Sequence, residues 1–590
     1  VMNHAEVCPE DIALIDAGSG RSVSYGELKA RATAVAAGIS EKDIKGVPVA
    51  LTLPRGIEQI ETALGILLSG NSYLPVSLSQ PKDRRALIHE KTGVRYVVTN
   101  RELSEKLDWP EGTEILVMEG MEEGQENVRL PEVSPKDSAY IIMTSGSTGV
   151  PKGVEIAHES AWNTVQDINE KYHVTSADRA LAVSAMDFDL SVYDVFGILG
   201  AGGTLVLLPE QERRNADYWL EQVLKYQITV WNSVPVLLDM LLIRAESMKQ
   251  KLPIRAVMLS GDWIGMDLPQ RVAAWTEDCQ FVAMGGATEA SIWSNYQNVT
   301  LPMPKNWKSI PYGKPLRYQA YRVVDEYGRD CPYWAEGELW IGGFGVAKGY
   351  RGDSALTGQK FITDQYGRWY RTGDLGRIWD DETIEFLGRK DHQVKIRGHR
   401  IELGEIEHAI QEFPGVAHAV VDTVSDGHGN KTLAAYIGAP IQEDSKVTTY
   451  LYGTDIFGGG WKELKDDVSN WQMQQERKTA YKNFLAYADQ RCVQLMLETL
   501  IELGVFVSEK EVLSQKEIFE KGSITETQKN TVARWLEILK KEGILREEDG
   551  RLSRTGKEVA VPEKAGDAET YFKKLKPYLK HMVTGNEVPL

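Results

Sequence analysis

Residues 140–153 read Tyr-Ile-Ile-Met-Thr-Ser-Gly-Ser-Thr-Gly-Val-Pro-Lys-Gly. An apolar run breaks into a loop of hydroxyl residues and glycines, then a lysine, then a second mostly apolar run from Val154 to Ala157. Both flanks read as core strands, which sets the loop apart from a flexible Gly/Ser linker. Gly146, Gly149 and Gly153 let the backbone approach a ligand closely and turn its N–H groups outward. Thr144, Ser145, Ser147 and Thr148 add hydroxyl donors, and Lys152 adds positive charge. The set suits a polyphosphate. It is not a Walker A loop, because Pro151 precedes the lysine and no Gly-Lys-Ser/Thr follows.

The chain has 590 residues, too many for one ordinary core, so two or three domains are expected. A formal net charge of −18 argues against a nucleic-acid or anionic-membrane partner. Cys8, Cys279, Cys331 and Cys492 are widely scattered, with no metal spacing or disulfide framework. No secretory signal opens the sequence and no long uncharged apolar run is present, so a cytoplasmic setting is expected. Val1-Met2 does not read as a natural start, and the chain is expected to be an excised piece of something longer.

Residues 1–390 alternate short apolar runs with helical patterns, such as Val49 to Leu53 before Ile57 to Ser69 and Gly203 to Leu208 before Tyr218 to Tyr226. That alternation predicts α/β layers. Residues 391–440 predict a compact unit: a strand at Val394 to Ile396, a helix from Leu403 to Phe413, and strands at Ala417 to Asp422 and Leu433 to Ile437. Residues 441–590 change character. Helical patterns run over Asn470 to Leu503, Thr525 to Glu542 and Ala568 to His581, and Gly543 to Lys557 has the look of a winged-helix hairpin. A DNA-binding wing is one reading of that hairpin, and packing or dimerisation suits so acidic a chain better.

Further motifs stand beside the loop. They are Ser24-Tyr25-Gly26-Glu27-Leu28, Leu68 to Pro75, Gly286-Ala287-Thr288-Glu289, Gly337-Glu338-Leu339-Trp340-Ile341, Tyr370 to Leu375 and Gly388 to Gly398. In this order they resemble an adenylation domain of a nonribosomal peptide synthetase, within the adenylate-forming superfamily of acyl-CoA synthetases and luciferases. The resemblance covers residues 1 to about 438. It implies an α/β adenylate-forming (ANL) fold with a large N-terminal core and a small C-terminal subdomain, followed here by the mostly helical, winged-helix-like tail.

The resemblance also implies a chemistry: a carboxylate attacks the α-phosphorus of ATP, and the acyl-adenylate then passes to a phosphopantetheine thiol. Catalysis of the first step is mainly positioning and charge stabilisation. By resemblance, the loop from Thr144 to Lys152 holds the β- and γ-phosphates, and Gly286, Ala287 and Phe386 flank the nucleotide. Thr288 touches the α-phosphate region, Glu289 ligates Mg²⁺, Asp374 accepts the ribose hydroxyls, and Arg389 assists nearby. Taken singly, Asp374 also reads as a turn acid and Glu289 as a helix N-terminal carboxylate. Asp391 falls at the family's hinge, about which the small subdomain turns.

Met186 to Phe196 matches the family segment that starts the substrate pocket. Asp189 falls where amino-acid activators carry the carboxylate that pairs with the substrate ammonium group; aryl-acid activators usually have a neutral residue there. The implied pocket is Asp189, Leu190, Tyr193, Asn232, Met258, Ser260, Met284, Ile292 and Trp293. This set resembles the cysteine-activating code, with methionines where leucines are usual. Trp293 and Tyr193 would shrink the pocket, while Asn232 and Ser260 would hydrogen-bond a small polar head. Serine and threonine fit the same polarity.

The family ends on a Gly-Lys motif that does not arrive after Ile437. Arg554-Thr555-Gly556-Lys557 resembles it superficially but sits in the wing pattern. The tail resembles the start of a methyltransferase-like domain that interrupts the adenylation domain. No glycine-rich S-adenosylmethionine loop follows, so methyl transfer by these residues alone is not expected, and the missing lysine is expected beyond Leu590. Implied partners are a peptidyl carrier domain, adjacent synthetase domains such as a cyclisation domain, and an MbtH-like helper. Two rival readings remain: a stand-alone acyl-CoA or aryl-acid ligase, and a non-catalytic docking module.

Overall fold

The computed structural model describes residues 1–121, 130–145, 151–305, 307–390, 393–396, 399–411, 416, 418–425, 431–438, 490–525, 528–557 and 559. Contacts divide the chain into two compact units, Val1–Ile441 and Gln442–Leu590.

The first unit is built on a nine-stranded, a seven-stranded and a five-stranded sheet. In the nine-stranded sheet, Gln280–Gly285, Ala256–Leu259, Val230–Ser233, Arg179–Ala182, Thr204–Leu207 and Ile12–Asp16 run parallel in that spatial order. Val230–Ser233, Ala256–Leu259 and Thr204–Leu207 are buried at every position. A parallel strand covered on both faces has no polar side to present, so these segments lack strand alternation in the sequence.

The seven-stranded sheet sets Ser138–Thr144, Ser72–Pro75, Pro48–Leu51, Tyr96–Thr99 and Glu114–Val117 parallel. Lys152–Ala157 returns antiparallel to Ser138–Thr144, with Thr144 opposite Lys152. The hydroxyl- and glycine-rich loop is therefore the connection of a hairpin whose strands both lie in the sheet. Burial follows: Tyr140, Ile141, Val154 and Ile156 are almost fully enclosed. In the third sheet Gly367–Ile378 pairs with Gly337–Gly343, Phe361–Asp364 and Ile384–Arg389.

The predicted elements fall close to the observed ones: Pro48–Leu51 with Ile57–Leu68, and Thr204–Leu207 with Ala216–Lys225. In the segment after residue 390, Gln393–Ile396 pairs with His399–Glu402, Leu403–Gln411 is a helix, and His418–Ser425 pairs with Lys431–Gly438. The latter strands run longer than their apolar centres predicted, because the ladder continues through Thr423↔Leu433 to Ser425↔Lys431. Phe413 and Ala417 lie outside the described residues.

In the second unit a helix over 490–502 precedes Leu513–Ser514, the helices Gln515–Lys521 and Lys529–Lys541, and the hairpin Leu545–Glu548 with Arg551–Arg554. Leu513–Ser514 joins Arg551–Arg554 to complete a three-stranded sheet. Ser514 and Glu517 form a reciprocal capping box that starts its helix. Phe506, Val532, Leu536, Leu539, Ile544 and Leu552 make the core of this unit. Lys557, at the end of the Gly-Lys look-alike, donates to the Glu542 carbonyl at 2.6 Å, beside the end of helix Lys529–Lys541. Residues 470–489 and the pattern from Ala568 to His581 lie outside the described residues.

Candidate active site

After Arg179–Ala182 the chain passes through Met186-Asp187-Phe188-Asp189 into a helical turn, Leu190–Val192, and a wider turn, Tyr193–Gly197. Asp189 is 6% exposed, so the alternative of a solvated loop acid does not hold. Thr288 Oγ1 donates to Asp189 Oδ2 at 2.6 Å across 99 positions of sequence. Thr288 opens the short turn Thr288–Ala290 that follows Gln280–Gly285. The resemblance sets its hydroxyl near an α-phosphate; here it is turned toward the Asp189 carboxylate.

Glu289 is fully buried, and its Oε1 accepts from the Tyr350 hydroxyl at 2.8 Å. Lys152 Nζ lies 5.9 Å from the centroid of the same tyrosine ring. Asp189, Thr288, Glu289, Tyr350 and Lys152 thus form one contiguous series. Thr144 and Ser145 are half-buried at the mouth of the hairpin, and Thr144 Oγ1 donates to the Lys152 carbonyl at 3.4 Å. Gly146, Ser147, Thr148 and Gly149 lie outside the described residues, as does Asp391.

Asp374 and Arg389 are cross-strand partners. Arg389 Nη1 donates to Asp374 Oδ1 at 2.6 Å and to the Thr372 carbonyl at 2.9 Å. Phe386 stacks on Tyr312 with ring centres 5.1 Å apart. Burial, then the nearby negative charge of Asp374, push the Tyr312 hydroxyl well above its ordinary range. Asp374, Phe386 and Arg389 are therefore gathered around one tyrosine. Tyr321 ties this cluster to the pocket: its hydroxyl lies 2.6 Å from Ser294 Oγ and accepts from Asn295 Nδ2 at 2.6 Å.

Gly286 takes φ +147°, and a Cβ there would meet the Ser294 nitrogen at 2.9 Å. Only glycine leaves room for that approach. Ala287 follows in extended conformation. Beyond the turn, Ser291 and the β-branched Ile292 adopt φ of 59° and 73°. Such a backbone costs energy for a branched side chain and marks a locally constrained segment.

The nine predicted pocket residues are all buried, and they come together at the C-terminal ends of parallel strands, where open α/β sheets bind ligands. Asn232 is the last residue but one of Val230–Ser233, Met258 lies in Ala256–Leu259 with Ser260 just after that strand, and Met284 lies in Gln280–Gly285. Leu190, Tyr193, Met258, Met284, Ile292 and Trp293 share one hydrophobic cluster. Tyr193 and Trp293 rings lie 5.1 Å apart. Trp293 Nε1 donates to Ser260 Oγ at 2.8 Å.

Asn232 Nδ2 donates to Asp194 Oδ1 at 2.8 Å and to the Leu190 carbonyl at 3.2 Å, so its oxygen is the atom left to hydrogen-bond a ligand. That Oδ1 is buried with no partner among the described residues. Tyr350, Tyr312, Tyr321 and Asp194 were not singled out from sequence. Asp194 lies inside the pocket segment, yet an acid in a helical turn reads as a surface residue; the three tyrosines carried no local signal.

These groups fit a nucleotide with a hard divalent cation. Glu289 offers a carboxylate oxygen, the ligand type Mg²⁺ takes, and Lys152 offers a cation near the Tyr350 ring whose hydroxyl reaches Glu289. Asp374 supplies acceptors for hydroxyl groups.

Comparison with known proteins points the same way. The AMP-binding enzyme family matches residues 1–351. The chain is 47% identical over 466 residues to the anguibactin system regulator of Vibrio anguillarum, covering 77% of this chain and 43% of that protein. It is 47% identical over 443 residues to the pyochelin synthetase PchE of Pseudomonas aeruginosa, covering 74% and 30%. Against the phenyloxazoline synthase MbtB of Mycolicibacterium paratuberculosis the identity is 40% over 447 residues, covering 75% and 38%. The chain thus spans less than half the length of these relatives. Among solved structures, the nonribosomal peptide synthetase FmoA3 with bound α-methyl-L-serine-AMP is 37% identical with a TM-score of 0.63, covering 73% of this chain and 48% of that one. The fused adenylation–carrier didomain NpsA-ThdA from Klebsiella oxytoca is 25% identical with a TM-score of 0.67, covering 74% and 87%.

Proposed function

Because the chain belongs to the AMP-binding enzyme family, we propose that it activates an amino acid, cysteine, as the aminoacyl-adenylate in nonribosomal peptide synthesis. The observation that carries this reading is the buried Asp189 held by Thr288, one residue from the buried Glu289. A buried carboxylate pairs well with the ammonium group of an amino acid, which brings both positive charge and donors.

The reaction follows from that placement. With its ammonium group on Asp189, the substrate carboxylate is presented to the α-phosphorus of ATP. An oxygen–phosphorus bond forms, the bridging bond to the β-phosphate breaks, and pyrophosphate leaves with the electron pair. Lys152 and the loop after Thr144 offset charge on the β- and γ-phosphates, while Asp374 and Arg389 fix the ribose side. Mg²⁺, held by Glu289, would neutralise phosphate charge. In the second step the phosphopantetheine thiol of a carrier domain attacks the acyl carbon and AMP leaves.

The choice of cysteine rests on the pocket. Tyr193 and Trp293 keep it small, and Asn232 and Ser260 make one side polar. The relatives named for pyochelin and phenyloxazoline synthesis are compatible with a role in making a heterocyclic siderophore. A structural neighbour that binds α-methyl-L-serine-AMP makes serine the second reading. On this proposal residues 391–440 form the mobile subdomain hinged at Asp391. Residues 441–590 begin a methyltransferase-like insertion, and an MbtH-like protein and adjacent synthetase domains are partners. The test is ATP–pyrophosphate exchange by the full synthetase chain with cysteine, serine, threonine, benzoates and fatty acids. Exchange driven by cysteine supports the proposal; exchange driven only by aryl or fatty acids removes it.

A further inference from the structure

We propose that Asp194, a residue outside the predicted pocket set, is a positioning residue that locks the Asn232 amide so that Asn232 Oδ1 accepts a hydrogen bond from the side chain of the substrate. This inference rests on the amino-acid-activating reading and deepens it.

The argument is an account of donors and acceptors. Asp194 is 2% exposed, in the turn Tyr193–Gly197 that begins the pocket. Both amide protons of Asn232 are spent, one on Asp194 Oδ1 at 2.8 Å and one on the Leu190 carbonyl at 3.2 Å. A flipped amide would set its oxygen against two other oxygens, so the observed orientation is the favoured one. Asn232 Oδ1 is then left buried without a partner among the described residues. A buried bare acceptor is costly and selects a ligand that carries a donor.

Among the described residues none donates to Asn232 Oδ1. Met258, opposite Asn232 on the next strand, and Leu190 have no donor in their side chains. The Tyr193 hydroxyl is spent on Asn169 Oδ1 at 2.9 Å, and the Trp293 indole N–H on Ser260. A thiol or hydroxyl on the substrate would complete the set, and a methyl group in its place would leave Asn232 Oδ1 bare. Burial pushes the Asp194 carboxyl up to about 7, opposed by the Asn232 amide, the Arg55 charge and the Ser184 backbone. The anchor does not depend on that titration, because a carboxyl protonated at Oδ2 still accepts at Oδ1.

The test is calorimetric binding of two stable adenylate mimics to the purified chain, cysteinyl- and 2-aminobutyryl-sulfamoyl-adenosine, which differ by thiol against methyl. The native chain is expected to prefer the thiol mimic by at least ~10-fold. Asp194→Leu should cut the preference to under ~3-fold without weakening the methyl mimic, and Asp194→Asn, which keeps an acceptor oxygen, should retain it. Equal binding of both mimics by the native chain, or an Asp194→Leu variant that keeps the preference or weakens both mimics alike, overturns the inference and leaves amino-acid activation standing. Binding of neither mimic overturns both. If near-ultraviolet circular dichroism shows Asp194→Leu unfolded, Asn232→Leu carries the test: loss of the preference supports the inference and its survival overturns it.

Discussion

Thr288 Oγ1 donates a 2.6 Å hydrogen bond to Asp189 Oδ2, joining the segment that starts the predicted pocket to the turn that carries Glu289. The carboxylate keeps acceptor capacity for an ammonium group after this bond. On the proposed reading the bond also fixes where that ammonium group would sit relative to the nucleotide side, marked by Glu289, Tyr350 and Lys152. Positioning of this kind is the main lever available to an enzyme that joins a carboxylate to a phosphorus centre.

Removal of the Asp374 carboxylate should weaken nucleotide binding. A hydrogen bond to a charged group contributes ~1.5–3 kcal/mol, so Asp374→Ala should lose roughly 10–100-fold in affinity for a non-hydrolysable ATP analogue. Arg389 retains its bond to the Thr372 carbonyl, so the strand pair should survive and the melting temperature should move little. Calorimetry and a thermal melt read the two effects separately.

Trp293 both fills the pocket and ties down Ser260. Trp293→Phe should shift specificity toward longer side chains such as methionine, visible in the ratio of exchange rates. The shift should stay within roughly 10–200-fold, since one methylene is worth only ~1–3 kcal/mol.

Much of this was legible in the sequence because the motifs keep side-chain types in order. The hairpin flanks of the loop and the burial of Asp189 followed from the residue types at those places, whereas the Asp374–Arg389 pair shows only in three dimensions. What could not be read was three-dimensional satisfaction. No spacing rule says that Tyr350, far along the chain, caps Glu289, or that the Asn232 amide protons are consumed by Leu190 and Asp194. The left-handed backbone at Ile292 is equally invisible, since isoleucine argues against it. Strand ends such as Ser425↔Lys431 extend past the apolar pattern because the antiparallel partner, rather than the local sequence, decides them.

Asp194 gives the fold a pH signature. Its carboxyl is raised from 3.8 to about 7 in the native state. Between those values the native state holds more protons than the unfolded state, so this group's contribution to stability is present below the lower value and is lost as pH rises through the upper one. The isosteric Asp194→Asn variant lacks that loss. Its melting temperature relative to the native chain should therefore rise between about pH 5 and about pH 8. A difference that is flat or falls with pH contradicts the assignment.

The second unit has its own core, and Leu539 is fully buried in it. Leu539→Ala should destabilise this unit by ~2–5 kcal/mol. Hydrogen exchange resolved by peptide should show faster exchange across the helix Lys529–Lys541 and the hairpin Leu545–Glu548 with Arg551–Arg554, and the strands of the nine-stranded sheet should be unaffected.

The ammonium clamp at Asp189 is tested most directly by ATP–pyrophosphate exchange with cysteine and with 3-mercaptopropionate, which keeps the thiol and carboxylate and lacks the ammonium group. The native synthetase should favour cysteine by at least ~100-fold, and Asp189→Ala should lose most cysteine-dependent exchange and nearly all of that preference, because breaking a buried ion pair costs ~3–5 kcal/mol. An Asp189→Ala enzyme that turns over cysteine like the native one, with its preference over 3-mercaptopropionate intact, contradicts the clamp.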